Sequence, residues 1–188
     1  MSPNRWGFTG PPPEAYSRVT NPDRFSPLHS FVLDLLARLE AEFNVTRVEG
    51  YGIDAELEGR GVVRPTVKLA PTDEGAAPIT VAFSAFPGLA VRCGRWKLDF
   101  FPGCGCDACD ETAEGESDRI QEQVDSLVAG QFREAIVLPF FGTARSEWEF
   151  GSSGPRSSGG WAQIDRSRAR SLIGEGPRAI EWSKWSRK

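Results

Sequence analysis

The spacing of apolar residues divides the chain into a helix, a run of strands, a second helix and further strands. Leu28, Phe31, Val32, Leu35, Leu36, Leu39 and Phe43 recur every three or four residues, which places them on one face of a helix. Ser26 reads as its N-cap and Pro27 as its first helical residue, with the helix ending near Asn44. Residues 45–57 and 62–69 mix β-branched residues with glycines and turn residues, which predicts two strands. Residues 79–86 alternate, with Val81, Phe83 and Ala85 on one side, and Pro87-Gly88 turns the chain back into strands over 89–93 and 96–101. The period lengthens again at Ile120, Val124, Leu127, Val128 and Phe132, predicting a helix from about Ser117 to about Ala135. Residues 135–141 read as a central strand limited by Pro139, and 146–150 as another. Residues 166–173 read as a short helix, and the alternation around Ile180 and Trp182 as a last strand. The order predicts an α+β fold: an antiparallel sheet of about five or more strands with two main helices packed on one face.

Length changes this picture little. A chain of 188 residues suits a single domain with its own core, and 12 Phe and 6 Trp supply the large side chains to fill it. Two stretches fall outside the periodic pattern. Residues 1–26, with Pro11, Pro12 and Pro13, read as an N-terminal arm that its aromatic residues pack onto the domain; residues 152–160 (SSGPRSSGG) read as a flexible tip. The N-terminus lacks the apolar stretch of a signal peptide, and no apolar run approaches the roughly 18 residues of a spanning helix. A cytoplasmic protein without membrane contact is therefore expected. The net charge of −4 gives no reason to expect nucleic acid as the main partner.

Cysteine placement is the one strong chemical signal. Cys93, Cys104, Cys106 and Cys109 follow the pattern C-x10-C-x-C-x2-C. In a reducing compartment such thiols read as metal ligands before disulfides. Thiolates are the preferred ligands of tetrahedral zinc, and Gly103 and Gly105 let the backbone wrap an ion closely. The expected cofactor is one structural zinc held by all four cysteines, with Cys93 reaching the loop from a strand end. His29, the sole histidine, competes with Cys93 for the fourth position. Three other readings of the same residues compete: a Cys106–Cys109 redox pair, iron–sulfur ligation, and unpaired loop thiols.

Charge is uneven beyond the cluster. Asp107, Asp110, Glu111, Glu114, Glu116, Asp118, Glu122 and Asp125 crowd one segment, which reads as a solvated helix start. The tail from Trp161 interleaves Trp182 and Trp185 with arginines and lysines, a pattern that serves either internal pairing or stacking on single-stranded nucleic acid. No Walker loop, dinucleotide-binding glycine motif or H-E-x-x-H is present, and the expectation leans away from an enzyme.

The strings YSRVTNPDRFSPLH (16–29) and FPGCGCDACDE (101–111) resemble an uncharacterised actinobacterial family, a domain of unknown function of about this length. The resemblance implies a compact bacterial cytosolic protein and no particular activity. The reading that results is a non-enzymatic interaction or regulatory protein built on a zinc site, its protein partner and oligomeric state unassigned. Thiol redox or metal handling, and nucleic-acid binding by the tail, are the alternatives.

Overall fold

A computed structural model describes residues 6–59, 61–151 and 158–188. Its first half is a five-stranded antiparallel meander in the order β1-β2-β3-β4-β5. The strands are β1 (Val45–Gly50), β2 (Val62–Pro71), β3 (Ile79–Ser84), β4 (Leu89–Cys93) and β5 (Lys97–Phe101). Alternation along β3 sends Ile79, Val81 and Phe83 to one face, where they meet Leu28, Val32, Leu35, Leu36 and Leu39 of helix α1 (Pro27–Glu42). Ile120, Val124 and Leu127 of helix α3 (Ala113–Val128) complete this core. The expected α+β arrangement, two main helices against an antiparallel sheet, is what forms.

The strands nevertheless divide into two sheets. A second, four-stranded sheet has the order β8-β7-β6-β9, from β6 (Phe132–Val137), β7 (Ala144–Phe150), β8 (Ser158–Ile164) and β9 (Ala179–Glu181). Helix α4 (Arg166–Ile173) lies against it, and Trp96 from the first sheet packs with Ile136, Ala144, Ala169 and Ile173. Of the expected flexible tip, residues 152–157 lie outside the described residues, and the remainder opens β8.

Several boundaries differ from the sequence reading for identifiable reasons. Ser26 makes no side-chain cap; its N–H continues a 3₁₀ turn over Pro22–Phe25 by donating to Asp23 O (3.0 Å). The expected strand over 45–57 ends at Gly50, because the Asp54 carboxylate accepts the N–H groups of Glu56 and Leu57 and starts the short helix α2 (Ala55–Glu58). Helix α3 begins earlier than expected, capped by the Thr112 hydroxyl accepting from Gly115 N. It also ends earlier, at Val128, before Gly130 at φ 71°. Phe132 therefore belongs to a strand and not to the helical stripe. Strand β6 stops at Val137, so Phe140 and Phe141 are exposed in the turn beyond it. Among the described residues no helix is long and apolar enough to cross a membrane.

Candidate metal centre

Strand β5 delivers the chain into a loop, residues 102–110, that precedes α3. The Phe101–Pro102 peptide is cis, Gly105 has φ 76°, and Asp110 closes the loop at φ 53°. Gly105 is required twice over. Its backbone lies in the left-handed region, and a Cβ there would sit 2.9 Å from Phe86 Cζ and 3.1 Å from Pro102 Cγ. The tight path gathers the Sγ atoms of Cys104, Cys106 and Cys109 to within 4.8 Å of one another. Cys106 is buried, whereas Cys104 and Cys109 are exposed.

Two carboxylates and two guanidinium groups shape the loop. Glu111 accepts the N–H groups of Gly103 (3.1 Å), Cys104 (3.2 Å) and Gly105 (2.6 Å), so one side chain fixes the backbone around the first thiol. Asp107, only 1% exposed, accepts from Thr20 N (3.0 Å), Thr20 Oγ1 (3.0 Å) and Arg18 Nε (3.2 Å). Arg24 donates to Gly105 O (3.0 Å) and Cys106 O (3.2 Å). Two backbone bonds complete the attachment, from Asp107 N to Arg18 O (2.8 Å) and from Ala108 N to Ala15 O (3.2 Å). Trp6 packs over Ala15, Cys106 and Ala108. The N-terminal arm is thus docked on the cysteine loop, and the two strings that carry the family resemblance meet in space.

The electrostatics follow from these contacts. The N–H of Thr20, helped by the Arg18 guanidinium, holds the Asp107 carboxyl below the usual carboxylate range against the opposing effect of burial. Within the thiol group, hydrogen bonding from Cys104 and then from Cys109, the latter at 3.4 Å, favours the thiolate of Cys106. The same bond to Cys106 pushes the Cys109 thiol up to about 12. Three thiols gathered at this spacing could hold a metal ion, whose binding would displace their protons. A tetrahedral zinc site with Zn–S of about 2.3 Å needs sulfurs about 3.8 Å apart. The three Sγ atoms lie within 4.8 Å of one another, with Cys106 and Cys109 3.4 Å apart.

Cys93 lies elsewhere. It is buried in β4, in register with Ile79 and Lys97, and desolvation pushes its thiol up. His29 is equally committed: its Nε2 pairs with Gly88 O (3.0 Å) and its ring stands edge-on to Phe83. The acidic segment is less solvated than its charge suggests. Glu116 is buried in α3 with both carboxylate oxygens on Arg119 NH1 (2.8 Å each). In the basic tail, Trp185 is buried and donates to Ala77 O (2.9 Å), and Trp182 donates to Glu134 (3.1 Å). These two indoles are packed into the fold, whereas Trp161 at the start of the same tail is 66% exposed.

Arg18, Thr20, Arg24 and Glu111 are the supporting residues that spacing alone did not reveal. The only trace of Arg18, Thr20 and Arg24 in the sequence is that the 16–29 string stands out beside the cysteine string, of which Glu111 is the last residue. No curated protein and no solved structure matches the chain. Residues 2–188 match the model of a family of unknown function, and the chain accordingly belongs to that family, DUF6226.

Proposed function

We propose that the protein binds one zinc ion through the thiolates of Cys104, Cys106 and Cys109, and that the loaded loop holds the N-terminal arm in place. The observation that carries this reading is the gathering of the three sulfurs within 4.8 Å. Two of them are exposed, which leaves a fourth position toward solvent for water or another donor. The role is that of a metal-centred interaction or regulatory protein of the bacterial cytosol. The two sheets work as one domain, because Glu134 of the second accepts N–H bonds from Arg95, Trp96 and Lys97 of the first.

Metal analysis of the full chain tests this directly. About one zinc per chain is expected, lost when Cys106 and Cys109 are both changed to Ser. Removing the metal should lower the Tm by roughly 5–10 °C, the shift for an ion present at about a hundred times its Kd. Absence of metal, with the thiols freely titratable, would sink the proposal.

A second reading is supported by the 3.4 Å approach of Cys106 to Cys109 and the lowered Cys106 thiol. Two thiols would close to a disulfide, releasing two protons and passing two electrons to a peroxide oxidant. Loss of two thiols per chain on mild peroxide treatment of metal-free protein, reversed by a dithiol reductant, would favour it.

A further inference from the structure

The face of the first sheet turned away from α1 and α3 holds a cavity of about 300 Å³. Its origin lies in the strand register. Ala82 in β3 stands opposite Ala90 in β4, and Ala90 opposite Phe100 in β5. Two methyl groups side by side leave a hollow where larger residues would fill the surface. Leu57 of α2 packs against both alanines, and Val62 and Phe100 flank them. Ala82 and Ala90 are only 1% and 4% exposed, because Leu57 covers them at the edge of the hollow.

Its far end is formed by Pro102, Gly103 and Cys104. Cys104 therefore borders both the cavity and the group of three thiols. Among the described lining residues none is charged. The one side-chain hydroxyl, that of Ser84, donates to Phe86 O (2.6 Å). The lining side chains are thus mostly apolar and suit a guest with a hydrocarbon body, at the small end of the roughly 300–1,000 Å³ range of ligand sites.

We infer that the cavity seats the apolar body of a small thiol or thioether ligand whose sulfur takes the fourth position on the metal held by Cys104, Cys106 and Cys109. The inference rests on the metal reading given above. It adds a ligand class to that site: a short hydrocarbon body carrying one soft donor atom.

Straight-chain alkanethiols, from ethanethiol to hexanethiol, titrated into the full-length protein loaded with cobalt(II) provide the test. Cobalt absorption reports sulfur entering the coordination sphere. Affinity should rise roughly fourfold per added methylene until the cavity is full, as burial of apolar carbon requires. Ala90→Leu should flatten the series while leaving the cobalt spectrum of the ligand-free protein unchanged. Ala82→Leu, on the neighbouring strand, gives the same reading if the first variant folds poorly. Equal affinities along the series in cobalt-loaded protein, or a rise that persists in both variants, would overturn the inference while leaving the metal site standing. Failure to take up cobalt would instead remove the metal reading. In that event 1-hexanol, which has an apolar body and no sulfur, is titrated against metal-free protein and followed by the Ala82 and Ala90 methyl resonances. Saturable shifts there support the apolar seat, and fixed resonances overturn it.

Discussion

Two buried carboxylates in this protein each tie a loop to a distant part of the chain, and they differ in what surrounds them. Glu134 lies 2% exposed and accepts from Arg95 N (2.6 Å), Trp96 N (2.8 Å), Lys97 N (2.9 Å) and Trp182 Nε1 (3.1 Å). Among the described residues no cation pairs with it; Lys97 pairs with Asp99 instead. Asp107 is equally buried but stands beside Arg18 and Arg24. Desolvation therefore raises the Glu134 carboxyl above its usual range, although four donors work against it. The Thr20 N–H and Arg18 lower that of Asp107. Glu134 sits between two packed layers, where opening it would expose Trp96 and Phe132. Asp107 holds the part of the arm before Phe25, whose apolar cluster among the described residues is Trp6, Ala15, Cys106 and Ala108, while Phe25 itself is buried in the main core. The first joint belongs to global stability, and the second to local opening.

Removing the two carboxylates should separate those roles. Glu134→Ala leaves four buried or half-buried donors without an acceptor, and should cost about 3–5 kcal/mol in chemical denaturation. Glu134→Gln keeps one oxygen and should fall between it and the parent. An unchanged denaturation midpoint for the alanine variant would mean that the sheets are not joined there. Asp107→Asn should act differently: trypsin should cut at Arg18 or Arg24 about tenfold faster, with little change in global unfolding. Cleavage at the parental rate would show that the arm does not depend on this contact.

The two joints should also respond to pH with opposite signs. A raised folded-state pKa means that the native protein binds more protons than the unfolded chain. The Glu134 contribution is thus fully present below the usual Glu range and declines as pH rises through the raised value. For Asp107 the folded value is depressed, so its contribution is present above the usual Asp range and lost as pH falls through the lowered value. Amide exchange at residues 15–20 should therefore accelerate on acidification, while that at Arg95 and Trp96 should slow relative to neutral pH. Parallel pH profiles at the two places would contradict the contrast. The smallest effect is expected at Arg168, which reaches across from α4 to Glu56 of α2 with both side chains well exposed. Arg168→Ala should change stability by less than about 1 kcal/mol, and a larger loss would identify this surface pair as a third joint between the sheets.

Much of this architecture was legible along the chain. The three-to-four spacing from Leu28 to Leu39 and the alternation of Val81 and Phe83 are periodic signals, and each was realised as the helix or strand it predicted, although Ala85 falls beyond the end of β3 at Ser84. Signals that depend on competition between neighbours were read less well. Apolar Phe132 fits the stripe of α3, but Gly130 ends the helix first and the residue enters β6. Ser26 has the chemistry of a cap but not the backbone, because the preceding 3₁₀ turn holds it in the helical region. Ala135, Ile136 and Val137 read as strand together with Phe140 and Phe141, yet the latter two face solvent once Pro139 interrupts the ladder.

The sequence by itself marked four thiols as candidate ligands; Cys104, Cys106 and Cys109 lie so close in the chain that no distant contact is needed to collect them, whereas Cys93 stands on β4 outside that group. What it left undecided were the groups that arrive from far away. Arg18, Thr20 and Arg24 reach the loop across about eighty residues of chain, and Glu134 reaches the β4–β5 turn across nearly forty. The same holds for the hollow above Ala82 and Ala90, which exists because two small residues on separate strands fall in register. Local spacing encodes periodicity and short loops, since the chain itself supplies the proximity. Register between strands and the docking of the arm are set by burial summed over the whole fold, and only the folded chain brings those partners together.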